Sequence, residues 1–114
     1  MDDLYFRGGS HKDLLKFPQL VQEVMLHGVN LARNGRKHTL AKPLKGFPGA
    51  RELEIPYGHA GDAYRLIYTT RIPGEVNVLH AFKKKSKKGI ATPKKEMDTV
   101  RSRLRMLQDE HRRP

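Results

Sequence analysis

Apolar residues recur along this chain with two different periods, and the places where the period changes separate its elements. Val21, Val24, Met25, Gly28 and Ala32 recur at helical spacings, each three or four positions from another of the set, so one apolar stripe runs along a helix over residues 18–33. Pro18 suits its first turn and Asn34-Gly35 supplies a left-handed stop. Met97, Val100, Leu104 and Leu107 repeat the helical spacing after Thr92-Pro93, a cap followed by a first-turn proline, and predict a C-terminal amphipathic helix. Between these helices the period falls to two over residues 52–55, 63–70 and 76–82, which predicts three strands. Residues 4–7 read as a further short strand ended by Gly8-Gly9, and Ser10 with Asp13 has the form of a capping box opening a helical turn.

The last two strands flank Arg71-Ile72-Pro73-Gly74-Glu75, where Pro73 and Gly74 suit the centre of a type II turn, so they should form an antiparallel hairpin. A tight turn there pairs Arg65 with Phe82 and Ile67 with His80, putting Arg65 and His80 on one face and Lys83 on the other; a longer loop or a bulge changes that. Residues 36–49 carry Arg36, Lys37, Lys42 and Lys45 among prolines and glycines and read as a basic loop pinned by Leu40, Leu44 and Phe47. The order strand, helices, three strands, helix predicts an α+β fold, with N-terminal helices packed on a small antiparallel sheet and a C-terminal amphipathic helix. A parallel nucleotide-binding sheet is disfavoured, because Gly8-Gly9 lacks the glycine pattern whose amides cradle phosphates. At 114 residues the chain reads as one domain, 1–114. Its first ten residues, similar to an engineered protease linker, read as a loosely ordered start.

Charge adds a class of partner. Lysine and arginine number 23 against 12 acidic residues, a net charge of +11, which expects a polyanion. The charge is concentrated: no carboxylate lies between Glu75 and Glu96, and Lys83, Lys84, Lys85, Lys87 and Lys88 directly follow the last strand. Phosphates neutralised by such a cluster release counterions, although a lysine run can equally be a solvated face. Arg65 sits among apolar and aromatic residues in mid-strand and has two readings: an ion pair with Glu52 or Glu54 on the neighbouring strand, or a planar fork that grips a phosphate.

Other chemistry is excluded or unsupported. The absence of cysteine removes disulfides, thiolate metal sites and cysteine nucleophiles. None of the six histidines has metal-ligand spacing, so no metal or cofactor is expected, and the three serines lie in no nucleophile motif. No apolar run is long enough to cross a bilayer and no secretion signal opens the chain, so the expected address is cytoplasmic with no membrane partner.

Lys42-Pro43-Leu44-Lys45-Gly46, Glu52-Leu53-Glu54-Ile55, Tyr64-Arg65-Leu66-Ile67-Tyr68, the stretch from Val78-Leu79-His80-Ala81-Phe82 through Lys83 to Lys87, and Thr92-Pro93-Lys94-Lys95-Glu96 together resemble the phage-derived HigB-like branch of the RelE/ParE toxin superfamily. The resemblance spans about residues 14–107. It implies a compact toxin of a type II toxin–antitoxin system, a metal-independent endoribonuclease that inhibits translation by cutting mRNA on the ribosome. It also implies a cognate antitoxin, a helix-turn-helix DNA-binding protein. By this resemblance Arg65 stabilises charge on the scissile phosphate, with Lys83, Lys84 and His80 as further catalytic candidates, Tyr68 a weaker one, and Lys85, Lys87, Lys88, Lys42 and Lys45 as RNA contacts. A crowded lysine would accept the proton, and the proton donor is unassigned, because the tail offers only His111 where several relatives carry a C-terminal tyrosine or histidine. Two other functions remain open: a non-catalytic basic RNA- or rRNA-binding domain, and a ParE-like gyrase poison.

Overall fold

A computed structural model describes residues 1–85 and 92–112 of the chain. The elements run β1 (Asp3–Phe6), α1 (Ser10–Leu14), α2 (Gln19–Arg33), β2 (Lys42–Pro43), a 3-10 turn at Pro48–Ala50, β3 (Glu52–His59), β4 (Asp62–Thr69), β5 (Glu75–Lys85) and α3 (Lys94–Arg112). The five strands form one sheet in the order β1-β5-β4-β3-β2, antiparallel except for the parallel pair β1–β5. The α+β expectation holds, with helices on both faces of a mostly antiparallel sheet.

Alternation along β4 divides the core in two. Tyr64, Leu66 and Tyr68 point to one face and pack with Val21, Met25 and Val29 of α2. Ile67 points to the other and joins Leu79, Phe82 and the α3 residues Val100, Leu104 and Leu107. The two helical stripes predicted from spacing are thus the two inner faces of the helical layers.

Several boundaries differ from the sequence reading, each for a local reason. The first residues are tied down: β1 pairs with the start of β5, and Leu4 and Phe6 pack against the core. Ser10 does not cap α1, whose cap position is Gly9; its hydroxyl donates to the Val78 carbonyl and fastens the helix to β5. Leu40 does not pin the basic loop, since 41% of it is exposed, whereas Leu44 and Phe47 do. β3 does not stop at Ile55 but continues through Pro56 to His59. β2 reaches only as far as Glu54, so no ladder bond is missing where Pro56 lacks its N–H. A two-residue turn, Ala60-Gly61, then closes β3 onto β4 with both φ angles positive, as the twist of a tight hairpin requires.

The β4–β5 connection decides which side chains meet. Gly74 has φ +79 and the Glu75 amide donates to the Ile72 carbonyl, as expected of the Pro73-Gly74 turn. Thr69 pairs with Asn77 and Tyr68 with Val78, one step out of the tight-turn register. A bulge between Ile67 and Tyr68 restores it, so Ile67 pairs with His80 and Arg65 with Phe82. Arg65 and Lys84 therefore share the α3 face, while Lys83, opposite Tyr64, belongs to the other.

Candidate nucleic-acid interface

Two carboxylates alternate with Leu53 and Ile55 along β3 and therefore sit buried on the α3 face: Glu52, with no exposed surface, and Glu54, at 3%. A buried carboxylate needs cations and donors around it, and each has them. Glu52 is held by Arg71, whose Nε and Nη2 lie 3.0 and 2.6 Å from its two oxygens, and by the Thr69 hydroxyl at 2.6 Å. Arg71 also donates to the Pro48 carbonyl, and its bonds to Glu52 raise the guanidinium above its already high ordinary value. This is a structural clamp between the 3-10 turn and the sheet.

Glu54 has different surroundings. Arg65 Nη1 lies 3.0 Å from its Oε1, Lys42 Nζ lies 3.7 Å from the same oxygen, and the Thr92 hydroxyl donates to Oε2 at 3.2 Å. Of the two roles the sequence left for Arg65, the structure shows the ion pair with Glu54. The Arg65 side chain is 11% exposed, and its Nε is buried without a hydrogen-bond partner. Glu54 and Thr92 open onto a cavity of about 320 Å³, walled by Pro43, Leu44 and Met97, with Lys42 and Lys45 at its basic side. The Lys42 side chain is 59% exposed, so a ligand can reach it.

The other predicted residues lie elsewhere. His80 is buried, its Nε2 2.7 Å from Glu96 Oε1 and its ring stacked on Phe82, and Arg103 Nη1, which donates to the Leu79 carbonyl, lies 3.4 Å from Nδ1. His80 and Lys83 line a second cavity of about 380 Å³ beside α1, with Lys16, Phe17 and Glu96. Lys83 Nζ is 3.6 Å from Asp62. The first turn of α3 separates the two cavities, Met97 facing one and Glu96 the other. Arg65 and Lys42 thus share the Glu54 carboxylate, whereas His80 is paired with Glu96 and Lys83 with Asp62. Lys84 sits on the Arg65 face, opposite Ala63, and Lys85 closes β5 opposite Asp62. Lys87 and Lys88 lie outside the described residues. Burial raises the Tyr68 hydroxyl to about 12, which suits a core residue and not a proton donor near neutrality.

Glu54 and Thr92 were not singled out as site residues from sequence. The available signal was the alternation Glu52-Leu53-Glu54-Ile55, which places two acids on one face of an otherwise buried strand. Among the described residues, no group of three or more histidine, cysteine or acidic side chains could hold a metal ion, and no helix is long and apolar enough to cross a membrane.

The sheet, its flanking helices and the C-terminal helix define a RelE-like fold. The solved structure of the isolated E. coli RelE toxin, P21 form, matches with a TM-score of 0.58 over 90% of this chain and 98% of that one, at 18% identity. No curated protein matches the sequence. The family of phage-derived Gp49-like proteins (DUF891) matches residues 12–105, and the chain belongs to that family, a family of RelE-like toxins.

Proposed function

We propose that this chain is a HigB-like toxin of a type II toxin–antitoxin pair, that it cuts mRNA on the ribosome, and that a helix-turn-helix antitoxin restrains it. The observation that carries the nuclease reading is the cavity in which Lys42 and Lys45 flank an Arg65–Glu54 pair on the α3 face of a RelE-like fold. Arg65 offsets the charge of Glu54, and Lys42, which lies 3.7 Å from the same carboxylate, has further N–H donors with which it and Lys45 can meet a phosphate.

RNA carries its own nucleophile. The 2′-hydroxyl attacks the adjacent phosphorus, the bond to the leaving 5′-oxygen breaks, and the protein has to orient the attack, accept one proton, return another and stabilise the added negative charge. Lys42 and Lys45 stabilise that charge. Arg65 acts on the site through Glu54, as a positioning residue. Lys83, Lys84, Lys85, Lys87 and Lys88 hold the message backbone, and His80 stays fastened to Glu96.

Induced expression should arrest growth, and primer extension on ribosome-bound message should map discrete cuts. Lys42→Ala with Lys45→Ala should remove the cuts, by a hundredfold or more on the usual scale of lost charge stabilisation, while the circular dichroism of the protein is retained. A message left whole while naked RNA is still bound would replace the nuclease with a basic RNA-binding domain. Whole message with induced DNA damage would point to gyrase.

A further inference from the structure

The cavity between β2, β3 and the start of α3 is the size of one small ligand, at the low end of the range for whole binding pockets. Its fixed polar groups are of one kind. Thr92 directs its only hydroxyl proton at Glu54 Oε2, so its oxygen can offer a second group nothing but lone pairs. Glu54 is an acceptor throughout, and of its roughly four lone-pair positions Arg65, Lys42 and Thr92 address three. The Arg65 and Thr92 contacts also fix the orientation of the carboxylate.

A base edge set against these two neighbouring oxygens must present two neighbouring N–H donors. Guanine does so with N1–H and its 2-amino group, whereas adenine, cytosine and uracil each place an acceptor beside the donor on that edge. Lys42 and Lys45 supply the donors that guanine O6 and a phosphate need, and Pro43 and Met97 offer apolar walls for a flat ring. Burying an unmatched acceptor against Glu54 costs enough to discriminate by an order of magnitude or more.

We infer that this cavity is a guanine subsite, in which Glu54 and Thr92 read the N1–H and 2-amino group and Lys42 and Lys45 take the phosphate. The inference rests on the nuclease reading only in making the ligand a residue of the message; the binding can be measured without a ribosome. The full chain is titrated at low salt with the 3′-monophosphates of guanosine, adenosine, cytidine and uridine, followed by calorimetry and amide NMR. Guanosine 3′-monophosphate should bind about tenfold or more tighter than the other three, with the largest shifts at Glu54, Thr92 and Met97. Glu54→Gln, which turns one acceptor into a donor, should erase the preference and leave weak, equal binding of all four. Thr92→Val should do the same and Thr92→Ser should not, and this pair decides the matter if Glu54→Gln does not fold. Equal binding of the four nucleotides by the unaltered chain, or a preference that survives both Glu54→Gln and Thr92→Val, overturns the subsite. If the ribosomal assay shows no cuts but the guanine preference persists, the nuclease reading falls and the subsite stands.

Discussion

Arg65 is the residue at which stability and the proposed function meet. Its guanidinium is the closest cation to a carboxylate that is 3% exposed, so removing it leaves a buried charge with only the more distant Lys42 and the Thr92 hydroxyl. Arg65→Ala should therefore lower the unfolding free energy by about 3 kcal/mol in urea melts. Replacing both partners with apolar residues, Arg65→Met with Glu54→Leu, should cost clearly less. A single substitution no more harmful than the double one would mean that the pair is not energetically coupled. Tyr68 gives a pH dependence of known sign. Its hydroxyl is raised in the folded protein to about 12 from the ordinary value near 10, so the folded state holds that proton more tightly than the unfolded state. The resulting stability is fully present below pH 10 and is lost as pH rises towards 12. Melts of Tyr68→Phe over that window should show a shallower decline than the unaltered chain.

At the scale of elements, the helices and most strands were legible because their apolar positions repeat with the period of the structure they form. What was not legible were contacts between elements. Ser10 has the sequence form of a cap, yet its hydroxyl binds Val78 on β5, a partner 68 positions away. Pro56 looks like a strand terminator, and it is tolerated because β2 is too short to reach it. Gly28 shows the same dependence on a neighbour. A Cβ there would lie 2.5 Å from Ile55 Cδ1, on a side chain with no exposed surface. Alanine would favour the helix by up to about 1 kcal/mol, but the overpacking costs about 1–3 kcal/mol. Gly28→Ala should thus be destabilising by thermal melt, and Ile55→Val, which removes the crowded methyl, should recover part of the loss in the double variant. If Gly28→Ala raises the melting temperature, α2 is not held as close to β3 as described.

For the whole molecule, the net charge of +11 governs encounter with a polyanion more than the geometry of any one contact. Binding of single-stranded RNA should weaken linearly on a log–log plot against salt, with a slope of about −0.7 for each phosphate neutralised. Lys42→Ala with Lys45→Ala should lower that slope by one to two such increments, whereas Lys12→Ala, on α1, should leave it unaltered. An unchanged slope in the cavity variant would place the RNA on another surface. The fold distributes this charge between two cavities divided by the first turn of α3, so neighbours in sequence such as Glu96 and Met97 come to serve different surroundings.

The sequence alone determined the two amphipathic helices, the alternation of the strands, the basic character and the absence of thiol chemistry, because period and composition are local properties that survive whatever the chain packs against. It also carried the Arg65–Phe82 and Ile67–His80 pairing as one arithmetic possibility. Only the tertiary structure decided that a bulge preserves that pairing and that β1 runs parallel to β5. It also decided that Arg65 goes to Glu54 and that Thr92, 38 positions from Glu54, completes the same carboxylate's shell. A buried charge selects its partner by distance and desolvation in three dimensions, and neither quantity is written in the order of the residues.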